Sequence, residues 1–580
     1  MPEHTTVTDT IDALLRRHAV ERGEHPAVID PHTRTTYADL DATTRRLAAA
    51  FVAAGVSKGT RVGLVAPNSV GWVRIALALT RIGAVLVPMS TLLKPPELIA
   101  QLRVAAVEIL IAAEEFRGHR YRDGLRSVLG DSLDTAPIRE PELPALRKIY
   151  TVEAATELVA LPPSHIPAAQ QAPANSGPAP ALTGTRPAYG PAGAQHTQAP
   201  PDAQLTVTPD ACAVAEALAA TVCPADPMLI MFTSGSRGLP KGVVHSHGNA
   251  LAAVRSGLTA RCIAPETRLY LPMPFFWVGG FGGGVLSALA AGATLVTEEI
   301  PGPESTLELL ERERVTLFRG WPDQAEALAG RAETLGTDLS ALRPGSLEAL
   351  LPPAQRARPG ARANLFGMTE SFGPYCGYPA DTDMPESAHG SCGRPFDGMD
   401  VRITDIAGNP VPAGTIGEIQ LRGPHILRGI CGRTREELFT ADGYYSTGDL
   451  GRFDEAGFLF YHGRRDDMFK INGAAVYPGE VEKALRSLPD VSSAFVTDID
   501  RGDGGRVAAA LIVTGHPGIE GLRAATKEIL SSFKVPTIWL LLDSDADIPR
   551  GTTGKVDIAA LRKLLADRGR DADTATGPAR

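Results

Sequence analysis

Met228-Leu229-Ile230-Met231-Phe232-Thr233-Ser234-Gly235-Ser236-Arg237-Gly238-Leu239-Pro240-Lys241-Gly242 joins an apolar run to a loop of small residues. Five consecutive large apolar residues carry the pattern of a buried strand, and the run stops abruptly at hydroxyls and glycines. A loop of that composition brings backbone N–H groups and Ser/Thr oxygens close to an anion, and one lysine adds a point charge suited to phosphate. The stretch therefore reads as a polyphosphate grip fed by a strand. Its spacing is not that of a P-loop, and the chain contains no G-x-G-x-x-G, G-x-S-x-G or H-E-x-x-H.

Toward the N-terminus, Ala27 to Ile29, Tyr37 to Ala54, Arg61 to Ala66, Trp72 to Ile82 and Ala84 to Val87 alternate short apolar runs with amphipathic stretches. This strand–helix rhythm predicts an α/β domain on a largely parallel sheet. Between residues 161 and 204 Pro, Ala, Gly, Gln and Ser dominate. Such a stretch buries too little apolar surface to offset its ordering entropy and is expected to be a flexible insertion. Downstream, Ala211 to Ala220 has helical periodicity, while Gly417 to Arg422 and Phe458 to His462 read as strands. Pro478 to Leu485 opens a helix, and strands recur at Ala494 to Thr497, Val507 to Val513 and Thr537 to Leu542. A second, small α/β domain of about 100 residues is expected from near Arg464.

Length and composition bound the function. The chain has 580 residues, 44% hydrophobic and 21% charged, with a net charge of −9. Two or more domains with sizeable cores are expected, and the acidic balance argues against a nucleic-acid partner. The six cysteines include no C-x-x-C, which excludes a zinc cage or a disulfide framework as the organising device. Leu271 to Val296 is a charge-free run long enough by count to span a bilayer. Pro272, Pro274 and the five glycines between Gly279 and Gly284 predict a strand end, a tight loop and a buried helix there, and no membrane span. The start of the chain lacks the basic and apolar pattern of a signal peptide, so cytoplasmic residence is expected.

The phosphate-grip loop, with His247 and Asn249 downstream, resembles the signature of the adenylate-forming superfamily, which includes acyl-CoA synthetases, peptide-synthetase adenylation domains and luciferases. Phe366-Gly367-Met368-Thr369-Glu370 resembles its Y-G-x-T-E motif and Tyr445-Ser446-Thr447-Gly448-Asp449 its Y-x-T-G-D motif. Gly463 to Asp467 resembles the start of the hinge motif, continued by Lys470, Gly473, Val476, Pro478 and Glu480 to Glu482. Pro549 to Lys555 resembles the terminal catalytic-lysine loop. The resemblance covers the whole chain except the insertion.

It implies a large AMP-binding domain (residues 1–463), a small mobile domain (464–570) and a disordered tail (571–580). It also implies that ATP is held by Thr233, Ser234, Gly235, Ser236, Arg237, Gly238, Lys241, Phe366 and Gly367, with Asp449 and Arg464 on the ribose. Thr369 would meet the α-phosphate and Glu370 would help hold Mg²⁺, a hard cation suited to carboxylate and phosphate oxygens. Lys555 would bridge the attacking carboxylate and the α-phosphate, and Asp466 would be the hinge. The implied reaction activates a small carboxylic acid as its adenylate and transfers the acyl group to coenzyme A. A carrier protein or an amine as acceptor, an unusual oxyacid as substrate, and a non-catalytic nucleotide-binding module remain open.

Two departures bear on the substrate. Trp277 stands where the family often has a histidine, and Trp277, Phe281 and Tyr375 are the expected pocket residues, which favours an apolar or aromatic acid. Between Arg343 and Phe366 the chain has Pro344-Gly345-Ser346-Leu347-Glu348 in place of a G-G-A-P type turn. The segment is short where the family has a strand and a helix.

Overall fold

The computed structural model describes residues 9–571 apart from 135–136, 158–206, 234–239, 321, 466–468, 472–473, 501–504, 516–517, 531–533 and 552–554. The expected insertion at 161–204, Ser234 to Gly238 of the grip loop, the hinge Asp466 and tail residues 572–580 lie outside the described residues.

The apolar runs enter two large sheets with helices between them. A seven-stranded sheet runs in the order Gly429–Ile430, Lys241–Ser246, Pro227–Thr233, Val85–Pro88, Arg61–Val65, Ile109–Ala112, Lys148–Thr151. Its five strands from Pro227–Thr233 to Lys148–Thr151 are parallel, and the other two add antiparallel. A five-stranded sheet orders Leu317–Phe318, Arg268–Tyr270, Thr294–Val296, Pro26–Ile29, Arg34–Thr36, antiparallel only at the last pair. The single parallel sheet expected from the N-terminal rhythm is thus corrected to two: Pro26–Ile29 pairs with Thr294–Val296, far along the chain. Periodicity reports which residues are buried, whereas the partner of a strand is chosen by long-range packing.

Local signals start the sandwiched helices. Thr36 and Asp39 form a capping box at Tyr37–Ala53, and the Ser69 hydroxyl accepts from the Trp72 N–H at Val70–Arg81. The apolar faces of these helices fill one core with Val28, Leu269 and Leu295 of one sheet and Val62, Leu64 and Leu229 of the other. Leu271 to Val296 resolves into a strand end, a turn and a helix, as its prolines and glycines require. The helix runs from Val278 to Ala291, widens to π geometry over Phe281–Leu286, and stops where Gly292 takes a positive φ of 69°. A Cβ on Gly280 would sit 2.0 Å from the Pro274 carbonyl oxygen, so only glycine lets the helix approach the turn. Among the described residues no helix is long and apolar enough to cross a membrane.

Two smaller antiparallel sheets complete the large lobe. One orders Asp400–Thr404, Gly417–Arg422, Tyr445–Phe453, Leu459–Arg464, and the other Phe366–Met368, Gly373–Gly377, Arg394–Pro395. Beyond Arg464 lies a small domain on the sheet Val491–Asp500, Gly505–Val513, Ile538–Leu542, Arg570–Asp571. Val507, Ala509 and Leu511 enter one core, while Ala508, Ala510 and Ile512 enter another beneath the Ile558–Arg568 helix. Asp571, expected to begin the tail, instead pairs with Ile538 and closes this sheet. All six cysteines are free.

Two buried polar features carry testable costs. The Arg81 side chain is 1% exposed and bridges Asp12 at 2.7 Å and Asp41 at 2.5 Å, joining three helices. Removing Arg81 leaves Asp12 and Asp41 with only the more exposed Arg16 and Arg45 as counter-charges, so much of the buried compensation is lost. Arg81→Met should cost about 3–5 kcal/mol, read as a lower urea midpoint, and adding Asp12→Asn and Asp41→Asn should restore part of it. His245, His247 and His425 cluster around the His247–Ser256 helix, and burial pushes each down to about 4 from 6.5. The unfolded chain therefore binds these protons first as pH falls, so stability is retained above about pH 6.5 and lost between there and about pH 4. At pH 5 each imidazole should cost roughly 2 kcal/mol. Urea midpoints at pH 7 and 5 should drop less for His247→Gln than for the parent; equal drops would contradict the assignment.

Candidate active site

The grip loop is closed by a β-ladder. Thr233 and Lys241 are register partners at the end of the antiparallel pair, so the glycine-rich loop is spanned by a fixed base. From that base the Lys241 ammonium reaches the Glu370 carboxylate at 2.5 Å and the Tyr445 hydroxyl at 3.0 Å. Tyr445 in turn donates to the same carboxylate oxygen at 3.3 Å. Glu370 is 5% exposed, and Tyr445 is held as the neutral phenol, its pKa raised first by burial and then by the Glu370 charge. Two strands and a turn remote in sequence therefore converge on one carboxylate.

A tight reversal presents that carboxylate. Thr369–Ser371 makes one 3₁₀ turn between Phe366–Met368 and Gly373–Gly377, and Phe372 takes a left-handed φ of 51° to complete it. The Phe372 ring packs edge-on against His245 at 4.9 Å, and His245 Nε2 donates to the Thr369 carbonyl at 2.8 Å. Asn249 fixes that tautomer by donating to His245 Nδ1 at 2.8 Å, and Ser246 and Asn249 form the capping box of the His247–Ser256 helix. A depressed pKa keeps His245 neutral near neutral pH. The Thr369 hydroxyl makes no hydrogen bond among the described residues and is half-buried. His245 and Tyr445 were not singled out in the sequence. The 3.6-residue spacing that brings Asn249 back onto His245 was the available signal for the former, and the first position of the Y-x-T-G-D motif for the latter.

Gly367 leaves no room above it: a Cβ would lie 2.0 Å from the Gly373 carbonyl oxygen. Beside it the Phe366 ring meets Tyr461 at 4.7 Å and Tyr375 at 5.6 Å. Asp449 and Arg464 face one another as register partners, with their side chains 3.0 Å apart, and the Arg464 guanidinium also donates to the Thr447 carbonyl at 3.1 Å. Gly448, at φ 74°, lies against that guanidinium, where a Cβ would come within 3.1 Å. The carboxylate of Asp449 is thereby oriented by an arginine fixed on the neighbouring strand.

The expected pocket residues divide. Trp277 caps the helix at Val278 and remains half-buried against Phe276, on the turn that precedes the glycine face. Phe281 is fully buried and packs edge-on against Trp72, so it belongs to the core and not to a free pocket wall. Tyr375 is also fully buried, with an unpartnered hydroxyl behind Phe366. Where a G-G-A-P turn is absent, Arg343 to Leu347 hugs the edge strand Leu317–Phe318 without forming a strand of its own. Lys555 lies on the small domain, exposed, with its carbonyl accepting from the Gly551 N–H at 2.8 Å and no contact to Lys241, Glu370 or Asp449.

Among the described residues no group of three His, Cys, Asp or Glu is able to hold a metal alone. The donor set fits a magnesium ion that arrives with a nucleotide: one buried carboxylate, Glu370, beside a lysine-bearing loop, with phosphate oxygens completing the shell.

A family model described as AMP-binding enzyme matches residues 15–431. The chain is 30% identical over 570 residues to a 7a-methyl-1,5-dioxo-octahydroindenyl-propanoyl:CoA ligase of Mycobacterium tuberculosis, covering 96% of this chain and 99% of that one. It is 27% identical to an indoleacetate–CoA ligase of Aromatoleum aromaticum, covering 95% and 97%. The fold is similar to that of an anthranilate CoA ligase solved with anthranoyl-AMP, at a TM-score of 0.72 and 22% identity over 96% and 98% of the two chains. With a loop, a carboxylate and an Asp–Arg pair in this arrangement and a match over most of its length, the chain belongs to the AMP-binding enzyme family.

Proposed function

We propose that this site activates a carboxylic acid with ATP and passes the acyl group to the thiol of coenzyme A. The chain is an AMP-forming acid–thiol ligase, with ATP, Mg²⁺ and coenzyme A as its cofactor and co-substrates. The single observation that carries the residue roles is the Lys241–Glu370–Tyr445 cluster at the base of the grip loop. Lys241 and the loop N–H groups bind the β- and γ-phosphates, and the free Thr369 hydroxyl donates to the α-phosphate. Glu370 would hold Mg²⁺, which supplies charge neutralisation at the phosphates. Asp449, oriented by Arg464, accepts from the ribose hydroxyls, and Phe366 with Gly367 offers an aromatic edge and a bare backbone to the base.

In the first half-reaction a carboxylate oxygen attacks the α-phosphorus; the new P–O bond replaces that to pyrophosphate. In the second, the CoA thiolate attacks the acyl carbon and AMP leaves with the bonding electrons. Two anions meet in the first step, so a cation placed between them lowers the barrier. Lys555 is the residue we assign to that task, brought in by the small domain (464–570) turning on Asp466 against the large domain (1–463). The half-buried Trp277 and the glycine face beside it suit a bulky acyl body. The relatives named above act on cyclic acids, which supports a cyclic or aromatic acid here. The reaction requires a compartment that supplies ATP and coenzyme A, a need the cytoplasm meets.

Pyrophosphate exchange with a panel of acids, followed by CoA-dependent AMP release, tests the reading; exchange with none, or release indifferent to CoA, would overturn it. Lys555→Ala should slow single-turnover adenylate formation by about 10²–10³ while equilibrium ATP binding changes little. Asp466→Pro should spare adenylation and stall thioester formation, measured as adenylate that accumulates on adding CoA; equal loss in both steps would remove the hinge assignment.

A further inference from the structure

Among the described residues, two arginines outside the nucleotide site have no carboxylate partner. Arg261 is 6% exposed, and its guanidinium finds only the Val254 carbonyl at 3.4 Å and the Ser287 hydroxyl at 3.5 Å. Arg319, half-buried, donates to the Gly345 carbonyl at 2.8 Å. Among the described residues no carboxylate comes within ion-pair distance of either, whereas their neighbours Arg268 and Arg343 pair with Glu313 and Glu266. Burial lowers both pKa values, that of Arg261 to about 10, and the Arg319 charge adds to the effect. His425, also close to Arg261, is pushed down to about 4, first by burial and then by the Arg261 charge, so near neutral pH it is an uncharged neighbour and no counter-ion. A guanidinium cannot shed its proton at neutral pH, and burying one unpaired is costly.

Their position is at the strand ends, on the side of the sheet where a ligand can enter. Arg319 follows the Leu317–Phe318 strand, at the carboxyl ends of a run of parallel strands, where open α/β sheets bind ligands. Next to it, a Cβ on Gly320 would lie 3.4 Å from Pro272, the start of the turn that carries Trp277, and 3.4 Å from Gln324 Oε1, a buried oxygen without a partner. Arg261 approaches from the other side: a Cβ on Gly373, three residues beyond Glu370, would be 3.5 Å from its Nη2. The widened helix, which reaches Arg261 through Ser287, turns Gly283 toward open space, with nothing within 4 Å of where its Cβ would be.

We infer that Arg319, backed by Arg261, forms an anion subsite at the far end of the acyl pocket, and that the acid this enzyme activates carries a second carboxylate. The inference rests on the adenylation reading for the first carboxylate, and it names what lies at the other end. Arg319 is the contacting residue, because it alone of the two keeps exposure. Arg261 is a positioning residue that holds positive potential behind it. The body of the acid remains apolar, so a cyclic or aromatic dicarboxylate fits both the Trp277 turn and the charged end.

The test compares matched acids: 4-carboxyphenylacetate beside phenylacetate, and suberate beside octanoate, in pyrophosphate exchange. The parent enzyme should favour the dicarboxylate by at least about tenfold in kcat/KM. Arg319→Leu should lower that ratio by about 100-fold, with Arg319→Lys in between. Independently of turnover, the dicarboxylate should raise the melting temperature of the parent and not of Arg319→Leu. Monoacids used as well as their partners by the parent, or equal losses for both in Arg319→Leu, would overturn the subsite and leave adenylation standing. Exchange with no acid, together with an Arg319-dependent thermal shift, would leave the subsite standing and sink adenylation.

Discussion

An ammonium and a carboxylate 129 positions apart in the chain meet at 2.5 Å, and the arrangement of the site follows from bringing them together. Lys241 belongs to the seven-stranded sheet, Glu370 to the turn of a three-stranded one and Tyr445 to a third, antiparallel sheet. A pair so deeply placed gives back in attraction much of what it loses in hydration, so its value lies less in net stability than in registration. It sets three sheets against one another at the point where a nucleotide would enter. On the proposed roles, the arriving phosphates compete for the ammonium and release the carboxylate to the cation that travels with them. The protein then needs no preassembled metal cage.

The elements were largely legible because their signals are local. The Met228 to Phe232 run became a strand, Gly417 to Arg422 a strand with the same bounds, and the charge-free run a loop and a buried helix because proline and glycine forbid a continuous one. Which strands pair was not legible. Pro26–Ile29 lies beside Thr294–Val296 because both bury apolar faces, and no pattern within either segment encodes the other. The site shows the same division. Lys241, Glu370, Asp449 and Arg464 stand out by motif, whereas His245 and Tyr445 matter through contacts that cross the chain. Phe281 and Tyr375 are fully buried, since an aromatic residue near a pocket motif is as easily drawn into the core.

The two lobes differ in what they offer. The large lobe holds the cations of its nucleotide site in fixed partnerships, Lys241 with Glu370 and Arg464 with Asp449. The small one carries Lys555 exposed, while its Pro478–Arg486 helix lies against the Leu459–Arg464 strand and Lys483 comes close to Gly390. On the proposed roles, a charge that acts in one half-reaction and is withdrawn for the next is better placed on a body that can turn than on a side chain that must refold. Arg261 and Arg319 are the reverse case, since charges waiting for the same group in every cycle suit rigid elements.

The wide turn at Phe281–Leu286 has an evolutionary corollary. A π segment holds about one residue more than the α-helix needs, and Ser287 Oγ donating to the Gly282 carbonyl at 2.7 Å marks the surplus. Loss of a single codon there would relax the helix to regular geometry and rotate its first turn by about 100° relative to the rest, without altering the sequence of either flanking strand. On the proposed reading, in which the glycine face borders the acyl body, insertion or deletion in this one stretch would reshape the pocket in a single step, a cheaper path than repainting a cavity one side chain at a time.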